Sequence, residues 1–149
     1  MSRAADPYEN IRLENQLCFP LYAFAKEVVR RYRQPLGKLG ITYTQYVVLM
    51  ALWENDKITE GELGKRVHLD SGTLTPLLKR LEKQGLLRRS RPASNERKLM
   101  IELTEKGSNM KDQAVHVPEE MEGCLSLDRE DCIKLKEILD RGLRNLDAE

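Results

Sequence analysis

A chain of 149 residues, 40% hydrophobic and 33% charged, is one domain's worth of globular sequence, which excludes a disordered chain. No apolar run approaches the roughly 18 residues of a membrane span, and the opening "MSRAADPYENIRLENQ" has no apolar signal core, so a cytoplasmic protein without membrane partners is expected. The net charge of +1 conceals an asymmetry: residues 79–98 set eight cations against Glu82 and Glu96, a net +6, while the other 129 residues sum to −5, an arrangement suited to a polyanion.

In chain order, Leu13, Leu17, Leu21, Phe24 and Val28 recur at helical steps and predict an amphipathic helix that ends near Pro35 and Gly37. Cys18 falls inside this run, four residues before Tyr22. Pro20 predicts a bend there, because a mid-helix proline removes a backbone bond. A second helix is predicted in "YTQYVVLMALWEND". A third, of about two turns, begins at "TEGELGKRV", where Thr59 and Glu62 have capping-box spacing. After a break at "HLD", the stretch "SGTLTPLLKRLEKQG" predicts a fourth helix. Leu74, Leu77, Leu78 and Leu81 form its apolar face, Thr75, Pro76, Lys79, Arg80 and Lys83 its opposite face, and Gly85 its stop.

Beyond Gly85 the period changes. "LLRRSR" and "KLMIELT" read as strands joined by the polar loop "PASNE", and in the second Leu99, Ile101 and Leu103 alternate with Met100, Glu102 and Thr104. Thr104 then caps a helix striped by Met110, Ala114, Val117 and Met121, which Pro118 bends or ends. A last helix follows Asp128 with Leu135, Ile138, Leu139, Gly142 and Leu146.

Two short helices followed by a basic hairpin have the order of a winged helix-turn-helix, whose second helix reads the major groove while the hairpin reaches along the backbone. The expected fold is mainly α with a small β-hairpin wing, a winged helix-turn-helix flanked by N- and C-terminal dimerisation helices. A Lys/Arg run by itself is most often a solvated face. Here Ser71, Thr73, Thr75, Lys79 and Arg80 sit outward beside a hairpin bearing Arg89, Arg91, Arg97 and Lys98, which favours double-stranded DNA as the partner. The apolar stripes at both chain ends exceed what a small winged-helix core covers and predict a homodimer. A two-fold dimer presents its reading helices about 34 Å apart, so a pseudopalindromic operator is expected.

Three cysteines, Cys18, Cys124 and Cys132, are too few and too scattered for a disulfide scaffold. With no CxxC pair and no His/Cys cluster at zinc-ligand spacing, neither a metal nor a cofactor is expected, and any disulfide here is redox chemistry. For a lone helical cysteine, packing as a small hydrophobe is the default reading of Cys18. Fast attack on a peroxide needs a stabilised thiolate, and tyrosine hydroxyls are donors of the right kind. Tyr32 lies fourteen residues past Cys18, on nearly the same helix face but roughly 21 Å along the axis, so only a partner's crossing helix would bring it to the thiol. An apolar lining from Leu17, Phe19, Leu21 and Phe24 would favour alkyl hydroperoxides over hydrogen peroxide.

The segments "LENQLCF", "ITYTQYVVLMALWE", "LDSGTLTPLLKRLEKQGL" and "NERKLMIELTEKG" resemble the MarR family of winged-helix repressors, in particular its organic hydroperoxide resistance regulator (OhrR) branch, from about Leu13 to about Pro118. The pairing of the "QLCF" thiol with "LDSGTLTP" is the most specific element. The resemblance implies that the chain is not an enzyme but a homodimeric repressor that releases DNA on oxidation. It implies a peroxidatic role for Cys18, with Tyr22, Tyr32, Tyr43 and Phe19 around it. It places Asp70 and Ser71 through Arg80 on the recognition helix, and Arg97 in the minor groove. A sulfenic acid at Cys18 would be resolved by Cys124, Cys132 or a low-molecular-weight thiol. On this reading residues 1–149 are one domain, with a reading lobe at about 42–104 and dimerisation helices at about 8–36 and 105–149. Two other readings share these motifs: a regulator of general thiol redox state, and one that binds a small aromatic ligand. Against the branch's pattern stand Pro20, Asn95 in place of a wing aspartate, and His68 before "LD". His68 reads as a surface or packing residue, and His116 is uninformative.

Overall fold

The computed structural model describes residues 6–149; residues 1–5, part of the opening stretch read above for a signal core, lie outside them. The chain divides into two compact units, one ending at Val117 and one beginning at Pro118. No described helix is long and apolar enough to cross a membrane.

The first unit opens with two 3-10 turns, Glu9–Ile11 and Leu13–Asn15, before helix α1 runs from Cys18 to Gly37. The helix expected from Leu13 therefore starts five residues later. Local side-chain bonds decide this: the Asn15 amide donates to the Glu9 carbonyl at 2.9 Å and the Gln16 amide to the Asn10 carbonyl at 2.8 Å. Such bonds offer the backbone an alternative to the helix. The late start also corrects the expected bend at Pro20. It is only the third residue of α1, where its missing N–H would have no helical partner in any case.

Helix α2 (Tyr43–Glu54) is closed at its head by a full capping box between Thr42 and Gln45 and buries Tyr46, Val48, Leu49, Ala51 and Leu52. A two-residue strand β1 (Ile58–Thr59) leads into α3 (Glu60–Val67), whose capping box joins Thr59 and Glu62 as the spacing predicts. His68 follows at φ 53°, a left-handed residue that turns the chain toward α4 (Ser71–Lys83). Gly64 makes that turn possible, since a Cβ there would lie 2.9 Å from the Leu69 carbonyl oxygen. Leu74, Leu77, Leu78 and Leu81 of α4 are buried, as their spacing predicts.

Gly85, at φ 76°, ends α4 and starts the wing, β2 (Leu87–Ser90) and β3 (Met100–Leu103), paired antiparallel from Leu87 opposite Leu103 to Ser90 opposite Met100. The sheet order is β1-β3-β2, with Ile58 opposite Ile101. The sequence reading missed β1 because two residues have no detectable period. Helix α5 (Glu105–Ala114) is capped by Thr104 and lies so close to the wing root that a Cβ on Gly107 would fall 1.9 Å from the Leu86 carbonyl oxygen. It ends at Ala114, four residues before Pro118, whose ring would collide with the Ala114 carbonyl in a continuing helix. Pro118 itself sits in the first turn of α6 (Val117–Met121).

In the second unit, α7 (Arg129–Asp147) is capped by Asp128 and buries no residue; Ile138, Leu139 and Leu146 of its predicted apolar stripe are exposed.

Candidate functional site

The side chains of α4 sort by helical angle. Gly72, Thr73, Pro76, Lys79, Arg80 and Lys83 share the arc opposite the buried leucines, and all are exposed. Ser71, also exposed, stands beside that arc at the helix start. Asp70 is the N-cap, its carboxylate accepting the Thr73 N–H at 2.8 Å. Thr75, expected outward, is half-buried on the flank, and its hydroxyl donates to Glu60 of α3 at 2.6 Å. The helix is thus held to α3 through a polar contact as well as through Leu74.

In the wing, Arg88 is exposed while Arg89, one residue on, turns back toward Glu82 of α4 at 3.3 Å. Alternation along a strand requires two consecutive residues to face opposite ways. Arg88 was not singled out from the sequence, although that alternation was the available signal. The wing loop is held by its own bonds: the Arg91 guanidinium donates to the Glu96 carbonyl at 3.0 Å, and the Asn95 side-chain oxygen accepts the Arg97 N–H at 3.1 Å. Asn95 thereby orders the turn with no charge. Arg91, Arg97 and Lys98 remain exposed. The Thr59 N–H, then its hydroxyl, and after them Lys98 and Lys65 hold Glu62 below the usual carboxylate range. Lys79, Arg80 and Lys83 on the outer face of α4, and Arg88, Arg91, Arg97 and Lys98 on the wing, are thus exposed cations.

The residues expected around the thiol fall in two places within one chain. Cys18 is the first residue of α1 and exposed, with Phe19 and Tyr22 exposed beside it. Lys26 holds its ammonium 5.2 Å from the centre of the Tyr22 ring. A shallow cleft lined by Arg12, Leu13, Gln16, Phe19 and Pro20 adjoins this end. Tyr32 lies near the other end of α1, its ring 4.8 Å from that of Tyr43 and 6.1 Å from that of Tyr46. Burial, and after it Tyr43, pushes the Tyr46 phenol above its usual range. Tyr46 continues to Trp53, whose indole N–H donates to the Gly107 carbonyl at 2.9 Å. The sequence reading missed Tyr46 and Trp53, since an aromatic residue in an apolar helix reads as core.

Cys124 is half-buried, its thiol donating to the Glu120 carbonyl at 3.4 Å, and Cys132 is half-buried in the first turn of α7. None of the three cysteines is joined in a disulfide. Among the described residues, no three His, Cys, Asp or Glu side chains form a group able to hold a metal.

Residues 30–114 match the family of SarA/Rot transcriptional regulators. The chain is 46% identical over 132 residues to the organic hydroperoxide resistance transcriptional regulator of Bacillus subtilis (strain 168), a match spanning 89% of this chain and 90% of that protein. Among solved structures, reduced AbfR bound to DNA, AbfR being a protein of Staphylococcus epidermidis, matches with a TM-score of 0.74 at 38% identity over 93% of this chain and 96% of its own. AbfR with its disulfide formed matches with a TM-score of only 0.60, at 37% identity and over 89% and 93% of the two chains.

Proposed function

The chain belongs to the MarR/SarA family of winged-helix transcriptional regulators, and from that premise we propose that it is a homodimeric repressor that releases its operator when organic hydroperoxides oxidise Cys18. One observation carries this reading. A chain so similar to an organic hydroperoxide regulator sets the one exposed thiol of its three at the head of a long helix with a bare apolar face.

The cationic outer face of α4 and the wing supports DNA as the partner. Ser71, Thr73, Lys79 and Arg80 would meet base edges and phosphates in the major groove, while Arg91, Arg97 and Lys98 would follow the backbone and minor groove. Asp70 and Thr75 serve this surface from behind, by capping and bracing α4. A protein of this kind works where the chromosome is, in the cytoplasm.

Pairing is supported by the bare stripes. Leu17 is 83% exposed and Leu146 65%, and each full burial of such a side chain is worth about 1.5–3 kcal/mol. We assign residues 42–104 to DNA reading, and residues 8–36 and 105–149 to pairing with a second copy. A partner's α1 crossing at Cys18 would bring Tyr32 and Tyr43 to the thiol, which neither can reach within its own chain.

The redox step balances without a cofactor. The Cys18 thiolate attacks the distal peroxide oxygen, the O–O bond breaks, the alcohol leaves with a proton, and the sulfur, oxidised by two electrons, becomes a sulfenic acid. A second thiol then displaces water to form a disulfide, and Cys124, Cys132 and a small-molecule thiol remain the candidates. Moving the dimer helices would change the spacing of the two reading heads and lower affinity.

The test is binding to the promoter region of the protein's own gene at fixed salt, with and without an alkyl hydroperoxide, for the native protein and Cys18→Ser. Release of the native protein but not of the serine variant supports the reading. Release of both, or of neither, overturns it, and a response to diamide but not to the hydroperoxide would favour a sensor of general thiol redox state.

A further inference from the structure

Glu82 lies two turns after Thr75 on the same flank of α4, and its carboxylate, although its side chain is 37% exposed, reaches the wing. One oxygen accepts the Arg89 backbone N–H at 2.8 Å, and the other lies 3.3 Å from an Arg89 guanidinium nitrogen. Strand β2 is the outer strand of its sheet, so the bonded N–H is one that points away from β3. The Arg89 side chain is 21% exposed, and its Nε is buried without a hydrogen-bond partner among the described residues. Leu87 and Arg89 therefore face the helix, while Arg88 and Ser90 face outward.

The chain passes from α4 to β2 through the tight turn at Gly85, and the wing root is held further by β1 against β3 and by α5 against Leu86. The Glu82 bonds tie α4 directly to β2 beyond that root, and one of them is made to the Arg89 backbone and does not depend on the Arg89 rotamer. We propose that Arg89 is a positioning residue, clamped by Glu82 so that the wing keeps its angle to the recognition helix, and that Arg88 is the phosphate-binding arginine of this strand. The proposal rests on the DNA-binding reading above. It reverses the role expected for Arg89 from the charge pattern, and it adds a carboxylate that helps binding from within a surface that otherwise selects for cations.

The signs of the effects decide it. Were Arg89 a phosphate contact restrained by Glu82, removing the carboxylate would free a cation and tighten binding. With the clamp, removing it loosens the wing and weakens binding. The experiment measures full-length protein, reduced, by fluorescence anisotropy on two labelled duplexes, the promoter region of its own gene and an unrelated sequence of equal length. Salt runs from about 50 to about 200 mM, the range over which phosphate contacts are read as the slope of log affinity against log salt. Arg88→Gln should lower that slope by about 0.9 per lost contact, about 1.8 for a dimer. Arg89→Gln and Glu82→Gln should each weaken promoter binding on the order of ten-fold, with the slope unchanged, and the double variant should be no weaker than Arg89→Gln alone. Glu82→Gln keeps an acceptor for the Arg89 N–H, so its sign decides the matter if Arg89→Gln fails to fold, as checked by thermal unfolding. A slope lowered by Arg89→Gln, tighter binding by Glu82→Gln, or variants that lose thermal stability but bind like the native protein would each overturn the proposal. A native protein that binds neither duplex overturns the DNA-binding reading, and this proposal with it.

Discussion

At Cys18 the amino acid is ordinary and its place is not: an exposed thiol at the first position of a 20-residue helix, with tyrosine one turn on. A sensor is consumed as it signals, so the reduced protein should destroy about one equivalent of alkyl hydroperoxide per subunit and then stop. Continued turnover in the absence of added thiol, followed by the disappearance of the hydroperoxide, would mean a peroxidase. Gly107 is decided by space: a Cβ would meet the Leu86 carbonyl oxygen at 1.9 Å and its carbon at 2.9 Å, backbone that no side-chain rotation can move aside. Gly107→Ala should lose roughly 3 kcal/mol in denaturant unfolding, whereas Gly61→Ala, 4.0 Å from its nearest neighbour in α3, should gain a few tenths. Glu27 shows what a surface pair does. The Arg30 side chain, then that of Arg31, brings its carboxyl down from 4.5 to about 2. Being depressed in the folded state, that pKa adds stability that is complete above 4.5 and lost as pH falls toward 2. Carboxyl NMR of Glu27 should show its midpoint near 2, and a midpoint near 4.5 would mean the pair is open in solution.

Helix ends carry much of the information at the level of elements. Thr42, Thr59, Asp70, Thr104 and Asp128 each accept a backbone N–H of the first turn, and each stands at a boundary that the sequence marks. For α4 the cap has a further use on the proposed DNA-binding reading, because it fixes where that helix begins relative to the groove. Asp70→Ala should cost about 1 kcal/mol in urea unfolding, and Asp70→Asn, an equally good cap, should restore it. If alanine and asparagine behave alike, the cap contributes nothing. The element whose start was misread, α1, shows the limit of periodicity. Leu13 and Leu17 fit the stripe, yet Asn15 and Gln16 carry amides that bond the preceding backbone and hold the chain in 3-10 turns. Charge was similarly informative for the wing as a whole and silent on which of two adjacent arginines is exposed.

Over the whole molecule, the exposed stripes of α1 and α7 are the largest departure from a self-sufficient fold. Isolated apolar side chains at a surface are normal, but runs along two helices mark an interface. Ile138→Glu with Leu139→Glu should therefore give a monomer by sedimentation with the helical content preserved. Binding to the promoter region should then fall by about 10²–10⁴ if its operator is pseudopalindromic as expected, the advantage that linked half-sites give. A dimer that survives both charges would place the interface elsewhere.

The order of the main helices and the two wing strands, the helix starts at Thr59, Asp70, Thr104 and Asp128, the leucine face of α4 and the cationic stretch at 79–98 were legible in the sequence, because each is set by residues within a few positions of one another. Tertiary structure alone decided the rest: strand β1 pairing with β3, Trp53 reaching Gly107 across 54 residues, Thr75 turning to Glu60, and Arg89 turning to Glu82. These contacts join segments whose approach depends on packing the whole unit. Two side chains of the same type then meet different surroundings, and Arg88 and Arg89 differ only in which face of one strand they occupy.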